Sequence, residues 1–502
     1  YRFSTRGGAL EQGELLRFRS YTDTGSNVRL VPRGAAGVLA SRVTADGRTL
    51  DLAAADCQPS APRLDLAAGS APARLVFTCP AGTVTYTFRP DRYLIDVEGR
   101  VSGVTAGEVA TSLGTGLAPH DAPEHAAERE LSLVGWTGER IERLYLRKAS
   151  GIDTLEGGPA RWAGFRDRYF FLAVINQDSA AFRHVVARDI ADETYVAEGK
   201  TVRSPRAQAY GVRPLGPGGT FRYQAYLGPL EHSQLEAAGH ELEEVNPYGY
   251  RWLRPVIRPI AAAVLWVLRE LHDGLGIAYG WVLIIFGVMM RLVTWPLNAR
   301  AMRAQMKNMA VQPQMQARMK EIQGKYANDP RKQQEEMMKM YQELGVNPLS
   351  MMSGCLPLLI PMPVLITLFF VFQGAVEFRG TPFAWLPDLS LKDPWYVLPV
   401  FLVVSMFGLQ WISTKMSGME DNPQTRMMLY TMPLMMGIFF WWMPSGLNLY
   451  YATTNVASLP QQLLIARERR RATEAQKAKD LAAKKAAGRP AGVKPGAPKR
   501  RN

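Results

Sequence analysis

Arg291 is the residue whose position most demands a chemical explanation. It stands in GIAYGWVLIIFGVMMRLVTWPL, residues 276–297, which hold no other formal charge. A helix of that length crosses a bilayer core. An arginine near its middle costs roughly 2.5–3.5 kcal/mol on insertion scales. Two accounts compete. The side chain can snorkel, because it lies about 9 Å from the Leu297 end. Alternatively, the guanidinium faces a water-filled cavity within the bilayer. Four further apolar segments read as spans, and none of the five contains Asp, Glu or His. A proton- or sodium-coupled transporter normally needs such groups. An unpaired buried cation needs water or an acidic ligand. Other polar side chains in the spans are Gln410, Thr431, Asn448, Thr453, Thr454 and Asn455, with Tyr450 and Tyr451. Side by side they would line a wet groove; scattered, they would be interhelical glue. The lack of acids favours the groove.

The remaining candidates for chemistry are sparse. The chain has no G-x-S-x-G, no H-E-x-x-H and no P-loop. His120, His125, His184, His232 and His240 are scattered without metal-ligand spacing and read as surface residues. No metal, cofactor or catalytic set is expected, and the chain does not read as an enzyme. Cys57 and Cys79 form a candidate disulfide if their domain faces an oxidising compartment, although spacing alone does not settle the geometry.

The elements that must position these residues fall into two unlike halves. Residues 1–240 alternate β-branched and aromatic runs, such as 75–78, 83–88, 93–97, 169–175 and 221–227, with Gly, Pro, Asp and Ser clusters. That pattern predicts a large β-sandwich. Residues 241–275 follow as a linker and an amphipathic helix. In that helix Trp252, Val256, Ile260, Ala263, Val267 and Leu271 recur at helical spacing, and it is expected to lie in the membrane interface. Packing on the soluble domain is the other option.

The spans are read as 276–297, 348–374, 395–413, 424–442 and 446–466, with loops at 375–394 and 414–423. Residues 298–347 are predicted to form a helical hairpin of about 299–326 and 331–344, with Asp329 as N-cap and Pro330 at the first helical position. Its methionines include Met302, Met306 and Met309. They either pack the hairpin's helices together or offer an adaptable surface for varied partners.

The net charge of +14 is concentrated. Residues 467–502 carry 13 Lys and Arg against 3 Asp and Glu, and 298–347 carry 9 against 5. Both basic segments then belong on the cytoplasmic face. The tail is expected to extend the last span as a helix, end in a disordered segment, and bind anionic membrane lipids or RNA by charge. A soluble domain ahead of a first span must be exported, so an N-terminal segment is expected to precede Tyr1.

RLVTWPL, the charged hairpin, GVNPL, SGCLPLLIPMP, FWWMPSGLNLYYATTN and a basic tail occur in that order. Over about 246–480 this resembles the YidC membrane-protein insertase family. Residues 1–240, with TRGG near the start, resemble the periplasmic β-sandwich of its two-membrane-bacterial members. The resemblance implies a multi-pass inner-membrane insertase and chaperone for nascent membrane proteins, acting alone or beside the Sec translocon. It implies a substrate groove containing Arg291, five residues before the Pro of WPL, with Gln410 of MFGLQ and Tyr450–Tyr451 of NLYY. It places 1–240 in the periplasm and the hairpin and tail in the cytoplasm, with the amphipathic helix at about 247–272. The departures are the missing signal-anchor span, about three extra residues at 350–352, and Pro361 where members often have Gln; a kink is expected there. The alternative is a polytopic transporter or channel with a carbohydrate-binding-like periplasmic domain.

Overall fold

A computed structural model describes the chain except at residues 24, 36, 91, 122–126, 178–180, 198, 247–252, 328, 344–361, 418–422 and 488–502. Its residues group into two units: Tyr1–Arg254 with Phe370–Thr381, and Pro255–Phe369 with Pro382–Asn502.

The first unit is built on two large antiparallel sheets. One has nine strands in the order Ile141–Tyr145, Ser132–Trp136, Trp162–Arg166, Phe170–Asn176, Thr220–Pro229, Leu94–Val101, Gly82–Phe88, Ala73–Cys79 and Gln58–Pro59. The other has six: Ile152–Thr154, His184–Ala197, Lys200–Pro214, Glu108–Gly114, Ser41–Ala45 and Arg48–Asp51. Val43, Val109 and Ala207 of the second sheet share one buried cluster with Tyr86, Val97, Leu172 and Phe165 of the first. The β-sandwich expected from alternation is therefore present; three of the five quoted runs lie within strands, and 93–97 and 169–175 each begin one residue before theirs.

The strand Phe170–Asn176 is buried at every position. Side chains alternate across a strand. Phe170, Leu172 and Val174 enter the core between the sheets. Phe171, Ala173 and Ile175 join a second cluster on the opposite face, with Trp136, Trp162, Leu235, Leu242 and Val245. The last three come from α1 (His232–Ala238) and the 3-10 turn Leu242–Val245. Their polar, helix-compatible sequence reads as a linker helix over 231–245; the helix is present at His232–Ala238, and it is packed on the sheet. These residues are a lid on the sheet, held by three buried side chains whose spacing is too sparse to register as periodic.

The pairing Gln58↔Thr78 brings Cys57 beside Cys79 at the sheet edge. The two are joined in a disulfide, with their Cα atoms 4.2 Å apart.

The second unit is helical. Its elements are α2 (Arg254–Leu275), α3 (Tyr279–Lys325), α4 (Pro330–Glu343), α5 (Met362–Gly374), α6 (Val397–Ser417), α7 (Pro423–Trp441) and α8 (Ser445–Ala487), although the last turns of α5 group with the first unit. Helix α2 buries Ile257, Ala261, Val264 and Leu268, and leaves Val256 and Trp266 exposed. The buried stripe lies one position beyond the apolar stripe expected to face the membrane interface, which is left exposed at Val256. Both stripes are apolar enough to satisfy the spacing; Trp252 of the expected stripe lies outside the described residues.

Helix α3 runs unbroken through the expected boundary at Asn298, so the first span and the first hairpin helix are one 47-residue element. The switch from apolar to polar residues there changes the environment of a helix without ending it. The N-cap expectation holds: the Lys332 amide donates to Asp329 Oδ1 at 3.2 Å. The tail continues α8 to Ala487. Among the described residues Tyr279–Arg300 is long and apolar enough to cross a membrane, and Val397–Ile412 and Leu429–Trp441 are shorter apolar helices. The start of the expected second span, including 350–352 and Pro361, lies outside the described residues.

Candidate functional site between helices α3, α6 and α8

Helix α8 packs along both α3 and α6, and α7 packs on α6. The loop after Pro382 fixes where two of these helices begin. Asp393, fully buried, accepts the Leu398 amide at 2.7 Å and the Trp395 amide at 3.1 Å, which caps α6. At the start of α8, the Ser445 and Gly446 amides donate to the carbonyls of Leu391 and Leu389 at 2.6 and 2.8 Å. Helices α3 and α8 approach closely because Gly287 has no side chain. A Cβ there would lie 3.1 Å from Thr453 Cγ2 and 3.4 Å from the Tyr450 carbonyl oxygen.

One turn past that approach, α3 presents Arg291, Thr294 and Asn298, all half-buried. They are spaced three and four apart and so share a face. The Asn298 amide donates to Thr294 Oγ1 at 3.2 Å, and Thr294 donates to the Met290 carbonyl at 2.7 Å. Leu292, Val293 and Leu297 on other faces are exposed. Arg291 Nε is buried with no hydrogen-bond partner among the described residues, and the guanidinium interacts electrostatically with Tyr450 of α8. Tyr450 also packs on Phe286, with ring centroids 5.6 Å apart. Further along, Gln461 of α8 donates to the Trp295 carbonyl at 3.0 Å, and Asn455 donates to Ser405 Oγ of α6 at 3.2 Å.

The expected site residues are thus only partly brought together. Arg291 and Tyr450 meet. Tyr451, about 100° further round the helix, faces Phe440 of α7 at 4.7 Å instead. Gln410 is half-buried on α6 and makes no hydrogen bond to Arg291 among the described residues. Asn448 donates to the Phe440 carbonyl at 3.1 Å and behaves as interhelical glue. Met302, Met306 and Met309 lie on the helical stretch of α3, but their side chains are outside the described residues. Thr294, Asn298, Ser405 and Gln461 were not among the expected site residues. The signal for the first two was available: polar residues three and seven positions beyond a span arginine continue its face.

In the first unit, one histidine departs from expectation. His120 is not a surface residue; its side chain is 2% exposed, with Nε2 3.0 Å from Asp167 Oδ2 and 3.7 Å from Asp121 Oδ2. Burial pulls its pKa down, but Asp167 and Asp121 outweigh burial and Arg379, so the imidazole sits above its ordinary 6.5. Of the others, His184 and His240 are exposed, His232 is half-buried, and His125 lies outside the described residues.

A β-sandwich followed by a helical region with a half-buried cation between its helices is a two-part architecture. The family described as 60Kd inner membrane protein matches residues 270–473, and the YidC periplasmic domain family matches residues 1–263. The chain belongs to the YidC family of inner-membrane proteins. A membrane protein insertase YidC from Syntrophus aciditrophicus is 30% identical over 92% of this chain and 82% of its own length. One from Chlorobaculum parvum is 32% identical over 76% of this chain. The match spans 65% of the length of that relative and 64% of a Chlorobaculum tepidum relative. Among solved structures, the crystal structure of an active YidC insertase with its first transmembrane domain resolved aligns over 91% of this chain and 92% of that one, at 20% identity and a TM-score of 0.36. These relatives do not favour the transporter or channel alternative.

Proposed function

We propose that this protein inserts and folds nascent membrane proteins, without catalysing a covalent reaction, by lowering the cost of moving a polar segment into the bilayer. The observation that carries the reading is the half-buried polar strip Arg291, Thr294 and Asn298, with Tyr450 of α8 beside the arginine, on a helix whose other faces are apolar and exposed. A guanidinium at that depth is tolerated where water or an acidic ligand solvates it. Water admitted along the strip thins the barrier that a polar segment must cross. The cation adds an attraction for acidic segments of about 4 kcal/mol at 4 Å in an effective dielectric of 20. The substrate's own apolar burial then drives release into lipid. Gln410 and Tyr451 border the same helices and are assigned to the groove's outer wall.

In this reading five spans cross the inner membrane. Residues 1–240 lie in the periplasm, and the hairpin and tail lie in the cytoplasm, where their charge suits the positive-inside rule. The hairpin, with Met302, Met306 and Met309, receives incoming chains or targeting factors, the tail meets ribosomes or anionic lipid, and the Sec translocon is a further partner.

The test is insertion of two substrates that differ only in the charge of the translocated segment. Arg291→Lys should insert both nearly as well as the unaltered protein. Arg291→Ala should slow insertion, most for the acidic substrate, and Arg291→Glu should slow that substrate further. Arg291→Cys should react with water-soluble thiol reagents. Resistance to those reagents, with equal effects of Arg291→Ala on both substrates, would leave snorkelling as the better account.

A further inference from the structure

The helical region sends one short segment into the β unit. After α5 the chain forms a 3-10 turn, Val376–Phe378, and residues 370–381 group with the β-sandwich although more than a hundred residues separate them from its last element. Val376 belongs to the sandwich core, and Phe378 is 1% exposed and stacks on Phe372 at 4.9 Å.

Arg379 is the centre of the contact. Its side chain is 3% exposed. Nε donates to Asp121 Oδ1 at 2.6 Å, Nη1 to the Arg19 carbonyl at 2.9 Å, and Nη2 to the His120 carbonyl at 3.2 Å. The guanidinium carbon lies 4.8 Å from the ring centre of Tyr21 and 5.4 Å from that of Phe170. Three acceptors in a planar fork and aromatic walls are what recognises a guanidinium rather than an ammonium.

We propose that this is a built guanidinium site whose ligand is the chain's own Arg379, and that it acts as a releasable clasp holding the trailing end of α5 to the β-sandwich. Several features make the hold separable from the fold. No strand pairing includes residues 375–381 among the described residues. The turn's own backbone bonds are internal, Arg379 to Val376 and Thr381 to Phe378, so it keeps its shape when it leaves. With Arg379 gone, the fully buried Asp121 carboxylate loses the nearer of two charged neighbours, His120 remaining 3.7 Å away, and removing one partner is the costly way to break a buried pair. The clasp is therefore held by the Arg379–Asp121 pair, the two carbonyl hydrogen bonds and the burial of Val376 and Phe378 together.

The test is hydrogen exchange on the full chain in lipid nanodiscs, a readout that does not rest on the insertase reading. Arg379→Ala and Asp121→Asn should each raise exchange at 375–381 at least tenfold, and the double variant should be no faster than either single one. Protection of the strands Phe170–Asn176 and Thr220–Pro229 should stay unchanged. Arg379→Lys keeps the cation but not the fork, and should loosen residues 375–381 alone even if the alanine variant fails to fold. Wild-type protection of the turn in all variants, additive effects in the double variant, or loosening of the sheet strands in step with the turn would each overturn the clasp.

Discussion

At the scale of single residues, His120 shows how a buried group sets a pH dependence. Its pKa is raised in the fold by Asp167 and Asp121 against the opposing effects of burial and Arg379. A raised pKa means that the folded state holds the proton more tightly than the unfolded chain. The stabilisation is complete below the unfolded value, about 6.5, and is lost as pH rises through the folded value. Thermal unfolding of the full chain in detergent should therefore show a midpoint that falls between about pH 6.5 and alkaline pH, and His120→Gln should remove that part of the fall. An identical pH profile in the variant would show that His120 does not carry it. The sequence hid this residue because its partners are 1, 47 and 259 positions away. Arg291 was legible for the opposite reason: its anomaly is local, one charge in an apolar run.

At the scale of elements, alternation and apolar length were readable, and boundaries were not. The run FFLAVIN read as a strand, and its burial on both faces explains why it lacks polar alternation. The packing of residues 231–245 was missed because a lid needs only Leu235, Leu242 and Val245, too few to show a period. Helix α2 carries two adjacent apolar stripes, and periodicity alone picked out the one that the protein leaves exposed rather than the one it buries. The edge of the nine-stranded sheet supports a quantitative expectation. The Cys57–Cys79 bridge closes a segment with a sequence separation of 22. In the chain-entropy account a loop of that size contributes about 3 kcal/mol. Replacing both cysteines with serine should lower the free energy of unfolding of the full chain by about that amount; an unchanged denaturant midpoint and slope would overturn the expectation.

At the scale of the whole molecule, charge is distributed by region. The β domain and spans are close to neutral, while the tail from Arg467 carries most of the excess. Each basic residue near an anionic surface contributes about 1 kcal/mol, and salt screens it. Cosedimentation with ribosomes or with anionic vesicles should fall steeply with added salt and on truncation at Arg467. Truncation that leaves binding intact would move the contact to the hairpin. This regional pattern was readable in full, because net charge needs no knowledge of packing.

The unbroken helix α3 has a mechanical consequence. At 1.5 Å per residue its 47 residues form a rod about 70 Å long, more than twice the thickness of a hydrocarbon core of about 30 Å. From Arg291 the rod extends about 18 Å to Tyr279 and about 51 Å to Lys325. Pro296 stands five residues beyond Arg291 and supplies no amide hydrogen to the helix, so a sideways load on the Lys325 arm concentrates its bending beside the arginine.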